Sequence, residues 1–330
     1  MRVLVTGANG FLGRAVVGAF LAGGHRVRAM VRPKAVLGDL PAGVEAVRAD
    51  LRSPPPLEGA FAEVDALVHL AAGMRGDEHE LFTSTVVGTE RLLSAMSRTS
   101  VKRVVLASSV AVYDWGAADG VVTEASPLAV ELDQRGAYAR AKVWQERVAR
   151  RLADEHGLEL TVLRPGVVWG PGDAHLTSVG RALGPLQVIV GPRRPLPLTY
   201  LENCADCFLA ATLECRAVGE TFNVVDGEPV TAWRYFREHR RHTGAPPVPV
   251  PVPYAVGLAT ARAVHAAARR AFDGEPRLPA VAVPARFEAD FKPAAISNAK
   301  LSDVLGWHPP YSFGEALART YERVPPRPRP

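Results

Sequence analysis

Short apolar runs alternate with amphipathic segments over the first half of the chain. The runs predict strands near residues 2–6, 26–31, 44–49, 64–70, 103–108 and 159–164. Between them, apolar residues at helical spacing predict helices, for example after Phe11 and over residues 137–151. Strands that alternate with helices are typical of an α/β fold, here a doubly wound parallel sheet.

The second half of the chain is less regular and contains proline-rich joints. We therefore expect a first domain over residues 1–168 and a smaller, irregular C-terminal lobe over 169–324. The lobe is expected to bind the substrate and to be interleaved with the first domain. The proline-rich tail, residues 325–330, is expected to be disordered.

A glycine-rich turn joins the first strand to the first helix, and it reads Thr6-Gly7-Ala8-Asn9-Gly10-Phe11-Leu12-Gly13. A strand, a glycine turn and a helix in this order place backbone N–H groups and the positive helix end around a pyrophosphate. In this Rossmann-type arrangement Gly7 permits the tight turn, Gly10 lets the phosphate approach and Gly13 lets helix and strand pack closely. The dinucleotide is expected to contact Gly7, Gly10, Phe11, Leu12 and Gly13. The alternative is an ordinary turn of another α/β protein.

The end of the second strand bears on the choice of nucleotide. In sites that prefer NAD, an acidic side chain near this point receives the ribose 2′-hydroxyl. Here Arg32 stands at this point, and the next carboxylate is Asp39. Because an arginine can pair with a 2′-phosphate, we expect NADP(H) to be preferred, with NAD(H) as the alternative. Arg32 as a solvated loop residue is the other interpretation.

Candidate proton-transfer residues lie on the helix predicted over residues 137–151. Tyr138 and Lys142 are four residues apart and therefore share one face of this helix. The ammonium group of Lys142 and a cationic nicotinamide ring would both lower the pKa of the phenol, which makes Tyr138 a plausible acid or base. Tyr-x-x-x-Lys also occurs by chance in many helices, so this pattern alone is weak.

Two hydroxyls follow the apolar strand near residues 103–108, where ligands of parallel sheets bind. Ser109 is expected to orient or polarise a substrate oxygen beside Tyr138. The alternative is that Ser108 and Ser109 only cap the following turn, and for Ser108 this is the preferred interpretation.

Taken in order, these motifs resemble the extended short-chain dehydrogenase/reductase family, also called the NAD-dependent epimerase/dehydratase family. Further matching segments are Ala49-Asp50-Leu51, His69-Leu70-Ala71-Ala72, Ser108 to Tyr113 and Arg164 to Asp173. The resemblance implies that Asp50 receives the adenine amino group and that Leu51 packs near the ring. It implies that Leu70, Ala71 and Ala72 line the cofactor and that the nicotinamide is bordered by Pro165, Gly166 and Val167. It also implies catalysis by Ser109, Tyr138 and Lys142.

Departures from the family pattern narrow the expected activity. Dehydratases carry an acidic pair where Val110-Ala111 stands, which argues against dehydration. Sugar-nucleotide enzymes tend to carry Asn in place of Val167, and the family commonly has Asn in place of Thr85. The remaining pattern is closer to the ketone reductase and 3β-hydroxysteroid dehydrogenase-like branches. Segments such as 198–206 and 221–227 resemble parts of the family's substrate lobe.

Composition excludes several other classes of function. The net charge of +5 is mild and arginine is scattered, so no nucleic-acid partner is expected. The chain starts with a strand, so no signal peptide is expected. It has no long apolar run, so no membrane span is expected. Cys204, Cys207 and Cys215 are expected to be buried structural thiols in the cytoplasm. No metal site is expected, because the histidines lack ligand spacing.

The sequence says less about the surfaces that contact a substrate, a membrane or a second subunit. An alanine-rich basic helix is predicted from Tyr254 to Phe272, and it is interpreted as a cap over the substrate pocket rather than a membrane-surface helix. The family resemblance implies a homodimer formed through the helices that flank the active tyrosine.

These observations predict an NAD(P)-dependent oxidoreductase that transfers hydride between the nicotinamide and a carbinol or carbonyl carbon of a small molecule. Alcohol oxidation, carbonyl reduction and epimerisation by transient oxidation share the first step and stay open. A sugar-nucleotide epimerase is the alternative among enzymes. A non-catalytic NADP-sensing protein is the alternative of another class, although it would not need Ser109, Tyr138 and Lys142.

Overall fold

The computed structural model describes residues 1–36, 40–41, 43–53, 56–74, 76–130, 132–243, 248–272 and 278–322. Its strands are β1 (Arg2–Thr6), β2 (Arg26–Val31), β3 (Glu45–Arg48), β4 (Ala66–His69), β5 (Arg103–Ala107), β6 (Val121–Val122), β7 (Glu159–Pro165), β8 (Val167–Trp169), β9 (Gly180–Leu183), β10 (Leu186–Val190), β11 (Leu198–Tyr200), β12 (Thr221–Val224), β13 (Val248–Val252) and β14 (Ala295–Ile296). Its helices are α1 (Phe11–Ala22), α2 (Glu78–Phe82), α3 (Gly88–Met96), α4 (Ala137–His156), α5 (Leu201–Leu213), α6 (Ala232–Thr243), α7 (Tyr254–Ala271), α8 (Pro284–Phe291), α9 (Ala299–Leu305) and α10 (Phe313–Glu322).

A seven-stranded parallel sheet forms the centre of the molecule, in the order β12-β7-β5-β4-β1-β2-β3. The chain runs from β1 outward to β3 and then crosses back to β4 on the other side of β1. The carboxyl ends of β1 and β4 therefore flank the topological switch point, where open α/β sheets bind ligands. The predicted Rossmann-type doubly wound α/β fold is confirmed.

Helices cover both faces of the sheet because its central strands are apolar on both faces. On β1, Val3 and Val5 point to a core shared with α1, α5 and α9, whereas Leu4 points to a core shared with α3 and α4. Phe20 on α1 and Phe208 on α5 are completely buried in the first of these cores. The sheet edge that carries the glycine turn is thus held between two packed layers.

The seventh strand corrects one expectation from the sequence. Residues 221–227 were assigned to the substrate lobe, but β12 pairs with β7 and extends the central sheet. Phe222 of β12 is buried in the core below α1 and α5. The second half of the chain thus supplies part of the sheet on which the active site is built.

The other segments after β8 form a smaller, irregular assembly. Strands β9, β10 and β13 make a three-stranded sheet, and short pairs join β8 with β11 and β6 with β14. Helix α7 packs its buried stripe, which includes Leu258 and Ala261, against Phe287 and Phe291 of α8. No helix in the described ranges is long and apolar enough to cross a membrane. The tail at 325–330 lies outside the described residues.

Two of the three cysteines behave as expected. Cys204 and Cys207 are buried on α5, and burial raises the pKa of both thiols. Cys215 is exposed in the turn after α5, so the expectation that all three are buried is wrong for this residue. Helix α5 ends at Leu213, and Cys215 lies in the turn between it and the buried Ala217.

Candidate active site

Three candidate catalytic side chains meet at the carboxyl edge of the central sheet. Ser109 directly follows the strand β5 region, and Tyr138 and Lys142 lie on the first turns of α4. A side-chain hydrogen bond joins Tyr138 to Ser109. The Nζ atom of Lys142 lies 5.9 Å from the centre of the Tyr138 ring. The structure therefore brings the predicted trio together.

Burial shifts the pKa values of two of these three side chains, Tyr138 and Lys142. Burial raises the pKa of Tyr138, and the hydrogen bond with Ser109 only partly opposes the shift. The expected lowering of this pKa is not seen in the protein itself, where desolvation of the phenolate dominates. Burial also lowers the pKa of Lys142 to about 7, against the opposing charge of Glu146. At neutral pH Tyr138 therefore keeps its proton.

Ser108 has a different partner from the one predicted. Ser109 caps the following turn by accepting a hydrogen bond from Ala111, whereas Ser108 donates its hydroxyl hydrogen to buried Glu146. Glu146 also accepts from Arg164 Nε at 2.9 Å and from Arg164 Nη2 at 2.8 Å. Ser108 is thus tied to a buried bidentate ion pair that anchors the loop carrying Ser109 to α4 and β7.

The glycine turn has the geometry that a phosphate group requires. Gly7 has a φ of +67°, a conformation that favours glycine. A Cβ atom on Gly13 would lie 2.0 Å from the carbonyl oxygen of Gly7, so α1 packs directly on the turn. Helix α1 follows Gly10 without a side-chain cap and without an acidic residue in its first turn. Its N–H groups and positive end are therefore available to an anion, which fits a dinucleotide.

The loop that follows β4 packs against this turn. Leu70, Ala71 and Ala72 follow β4, and a Cβ atom on Gly7 would lie 3.0 Å from the backbone nitrogen of Ala71. Thr85, which stands where the family commonly has Asn, accepts a hydrogen bond from Gly73 N at 2.9 Å. The hydroxyl of Thr85, which lies in the helical segment before α3, thus fixes the position of the loop after β4.

The nicotinamide end is predicted at the junction of β7 and β8. Pro165 ends β7 and Val167 begins β8. Between them, Gly166 donates to the carbonyl oxygen of Val224 at 3.1 Å, and a Cβ atom on it would lie 2.0 Å from Pro197 O. The close backbone approach explains why glycine stands at this junction.

The predicted adenine end carries more charged side chains than Asp50 and Arg32 alone. Asp50 pairs with Arg52 at 2.8 Å, and this contact, aided by the charge of Arg32, lowers the pKa of Asp50. Arg32 is exposed directly after β2. Leu51 is buried, 8% exposed, in the core near α3. A hollow of about 300 Å³ is lined by Asp50, Arg52, Ser53, His79, Glu80 and Thr83.

Several residues of the site were missed from the sequence. Arg52 lies two positions after Asp50, so its spacing could have suggested a contact. Glu146 lies four positions after Lys142 on the same helix, and this spacing is the one feature of the sequence that could have placed Glu146 near the site. The partner Arg164 comes from another strand, and its contact depends on the fold. Among the described residues, no group of three metal-binding side chains is close enough to hold a metal ion.

These features define a dinucleotide-dependent oxidoreductase, and comparisons with known proteins agree. Residues 3–224 match the model of the NAD dependent epimerase/dehydratase family. A 2-alkyl-3-oxoalkanoate reductase of Shewanella oneidensis is 30% identical over 275 residues, which cover 77% of this chain and 70% of that protein. A 3 beta-hydroxysteroid dehydrogenase/Delta 5→4-isomerase of Mycobacterium tuberculosis is 29% identical over 255 residues, or 72% of this chain and 68% of that protein.

A solved structure described as MoeE5 in complex with UDP-glucose and NAD has 25% sequence identity and a TM-score of 0.71, and it covers 98% of both chains. The chain belongs to the NAD-dependent epimerase/dehydratase family. It is an NAD(P)-dependent oxidoreductase of the extended short-chain type.

Proposed function

We propose that this chain reduces the ketone or aldehyde carbonyl of a small molecule, with Tyr138 as the proton donor. The observation that carries the proposal is the state of Tyr138 beside Ser109 and Lys142. A phenol with the ordinary pKa near ~10 is protonated at neutral pH, and burial raises the pKa of Tyr138 further. Carbonyl reduction needs a proton donor at this position, whereas alcohol oxidation starts from a proton acceptor.

The chain's own residues then have distinct tasks. Ser109 Oγ accepts from Ala111 N at 3.2 Å, and its one hydroxyl hydrogen can pass from Tyr138 to a substrate oxygen when substrate binds. A nicotinamide nucleotide, when bound, supplies the hydride to the carbonyl carbon. As the carbon–oxygen π bond breaks, Tyr138 transfers its proton to the oxygen and an alcohol is formed. Lys142 places positive charge near the phenolate that remains and stabilises it.

The test is turnover with a panel of ketones and aldehydes, followed by the loss of reduced nicotinamide absorbance. We expect one alcohol to be formed for each NADPH consumed. An epimerase would instead interconvert stereoisomers with no net consumption of nucleotide. A dinucleotide-sensing protein would bind NADPH and reduce none of the panel, which would refute the proposal.

We further propose that NADP(H) is preferred through Arg32. Arg32 is exposed at the carboxyl end of β2, and its charge already acts on Asp50. A 2′-phosphate could pair with its guanidinium group. The substitution Arg32→Ala should weaken NADPH binding about 10- to 150-fold, since one charge-assisted contact contributes ~1.5–3 kcal/mol, and should leave NADH binding unchanged. Arg26→Ala, at the other end of β2, is the control. Equal affinity of the native protein for NADPH and NADH would contradict this preference.

Charge beside the Ser109 loop supports an anionic substrate. Arg135 is buried and donates to the carbonyl oxygens of Ala111 and Tyr113 at 2.9 and 3.0 Å, so its guanidinium group contacts the segment that begins two residues after Ser109. On the lobe side, Arg181 pairs with Asp290 at 2.7 Å.

The charge of Asp290 acts on Arg135 and also on Arg194, a buried residue whose pKa desolvation lowers to about 10. Asp114 is a second acid that acts on Arg135. Three arginines thus face two acids, an excess that favours a carboxylate-bearing ketone such as a 3-oxo acid. Faster reduction of a 3-oxo acid than of its methyl ester is the expected result, and the reverse order would contradict it.

We also propose a homodimer through the outer face of α4. Trp144 is 42% exposed on this face and Phe82 of α2 is 39% exposed, so two aromatic side chains are available to a partner. The arginine Arg147 stacks on Trp144 with 4.9 Å between its Cζ atom and the ring centre. Trp144→Glu should convert a dimer into a monomer in sedimentation experiments. A native protein that sediments as a monomer would refute this assembly.

A further inference from the structure

A buried chain of hydrogen bonds connects Lys142 with the glycine turn. Lys142 Nζ donates to Gln145 Oε1 at 2.9 Å, and Gln145 Nε2 donates to Thr89 Oγ1 at 2.9 Å. Thr89 Oγ1 is 2.8 Å from His69 Nε2, and His69 Nδ1 is 2.7 Å from Thr6 Oγ1. All five side chains are buried, and they come from α4, α3, β4 and β1. The chain therefore crosses the switch point of the sheet.

The direction of each hydrogen bond in this chain is determined by Thr89. Its hydroxyl donates to the carbonyl oxygen of Thr85 at 2.5 Å, so its oxygen can only accept from the other neighbours. Gln145 must therefore turn its NH₂ group toward Thr89 and its carbonyl oxygen toward Lys142. His69 must likewise donate from Nε2, which requires the neutral ring to accept from Thr6 at Nδ1.

His69 is held in this neutral tautomer by its surroundings. Burial, together with the charge of Lys142, lowers the pKa of His69 to about 3. Thr6 donates to the ring because its oxygen accepts from the backbone N–H of Ala71 at 3.2 Å. With the neutral imidazole, the oxygen of Thr89 accepts from both His69 Nε2 and Gln145 Nε2. The amide group of Gln145 is therefore held in one orientation.

We propose that Gln145 is a positioning residue that holds Lys142 as a charged hydrogen-bond donor, in an orientation imposed by Thr89 and His69. An ammonium group has three hydrogens. Lys142 donates one to Ala107 O at 2.7 Å and one to Gln145, so the third is left for the nucleotide ribose. The inference rests on the proposed function only in taking Lys142 as part of the nucleotide site.

Other charges around Lys142 do not replace this contact. On α4, Glu146 raises the pKa of Lys142, but its carboxylate is shared with Arg164 of β7 at 2.8 Å. Tyr138 on the same helix is protonated, and His69 of β4 is neutral. β5 and α3 supply neutral groups, the carbonyl oxygen of Ala107 and the hydroxyl of Thr89. The amide oxygen of Gln145 is thus a direct acceptor for a buried cation that has few others.

Two substitutions at one position test this role with opposite expected signs. In Gln145→Glu a carboxylate would stand beside Nζ and favour the ammonium form, whereas Gln145→Met would remove the acceptor and favour the neutral amine. The readout is the affinity for NADP⁺ as a function of pH, which should fall as Lys142 loses its proton. The midpoint of this fall should move up by about one pH unit or more in the Glu variant, because an opposite charge this close shifts a pKa by ~1–3 units. In the Met variant it should move down.

Further variants separate positioning from general damage to the fold. Thr89→Val removes the acceptor that orients the amide, so the midpoint should move down, and Thr89→Ser should restore it. Gln187→Glu is the matched control, since Gln187 is a buried glutamine of the distant strand β10 and should leave the midpoint unchanged. Midpoints that move in the same direction in Gln145→Glu and Gln145→Met, or that do not move, would overturn the proposal. A native chain that binds NADP⁺ but reduces no carbonyl would refute the proposed function and leave this test intact.

Discussion

The contact between Gly13 and the glycine turn gives a prediction whose magnitude follows from the structure. A Cβ atom on Gly13 would lie 2.0 Å from the carbonyl oxygen of Gly7 and 2.8 Å from the Cα atom of Ala8. Real contacts of this kind are not shorter than 3.0 Å, so Gly13→Ala must move α1 away from the turn by about 1 Å. Forced overpacking of this kind costs ~1–3 kcal/mol.

The matched control lies on the same helix. A Cβ atom on Gly18 would have nothing within 4 Å, so Gly18→Ala should stabilise the protein by ~0.5–1 kcal/mol through helix propensity alone. Urea unfolding of the two variants should therefore show opposite signs. Because α1 holds the phosphate-facing N–H groups, Gly13→Ala should also weaken NADPH binding about tenfold, which corresponds to ~1.4 kcal/mol. Native stability and native affinity in Gly13→Ala would refute this description of the turn.

Two further predictions concern buried carboxylates. Glu146→Ala should destabilise the protein by ~3–5 kcal/mol in urea unfolding, because it leaves the buried Arg164 unpaired, and a loss below ~1 kcal/mol would contradict the buried ion pair. Burial raises the pKa of Asp226 to about 7. The neutral carboxyl group of Asp226 therefore contributes to the stability of the folded protein below its ordinary pKa, and this contribution is lost as the pH rises through about 7. The melting temperature of the native protein should therefore fall more between pH ~5 and ~8 than that of Asp226→Asn, and equal falls in both proteins would refute it.

Much of the central sheet could be predicted because its strands are short apolar runs separated by helices. β1, β2 and β5 lie where the pattern indicates, since both of their faces are buried. The place of β12 in the central sheet was not predictable, because the sequence of a four-residue strand does not indicate which sheet edge the strand joins. Its pairing with β7 arises from packing of Phe222 below α1, a contact distant in sequence.

The site was predictable where one motif contains several of its residues. Tyr138 and Lys142 share a helix face by spacing, and Gly7 to Gly13 lie in one turn. The roles of Ser108 and Gln145 were not predictable, because each depends on a side chain from another element. The direction of the pKa shift of Tyr138 was also missed, since it is dominated by burial in the surrounding fold.

The central claim is that Tyr138 donates the proton while the rest of the site binds the nucleotide. The most direct test is Tyr138→Phe, which removes the hydroxyl and keeps the ring. NADPH affinity should be unchanged, and kcat for carbonyl reduction should fall by ~10²–10⁴-fold, the usual contribution of a general acid. Reduction by Tyr138→Phe at close to the native rate would contradict the claim.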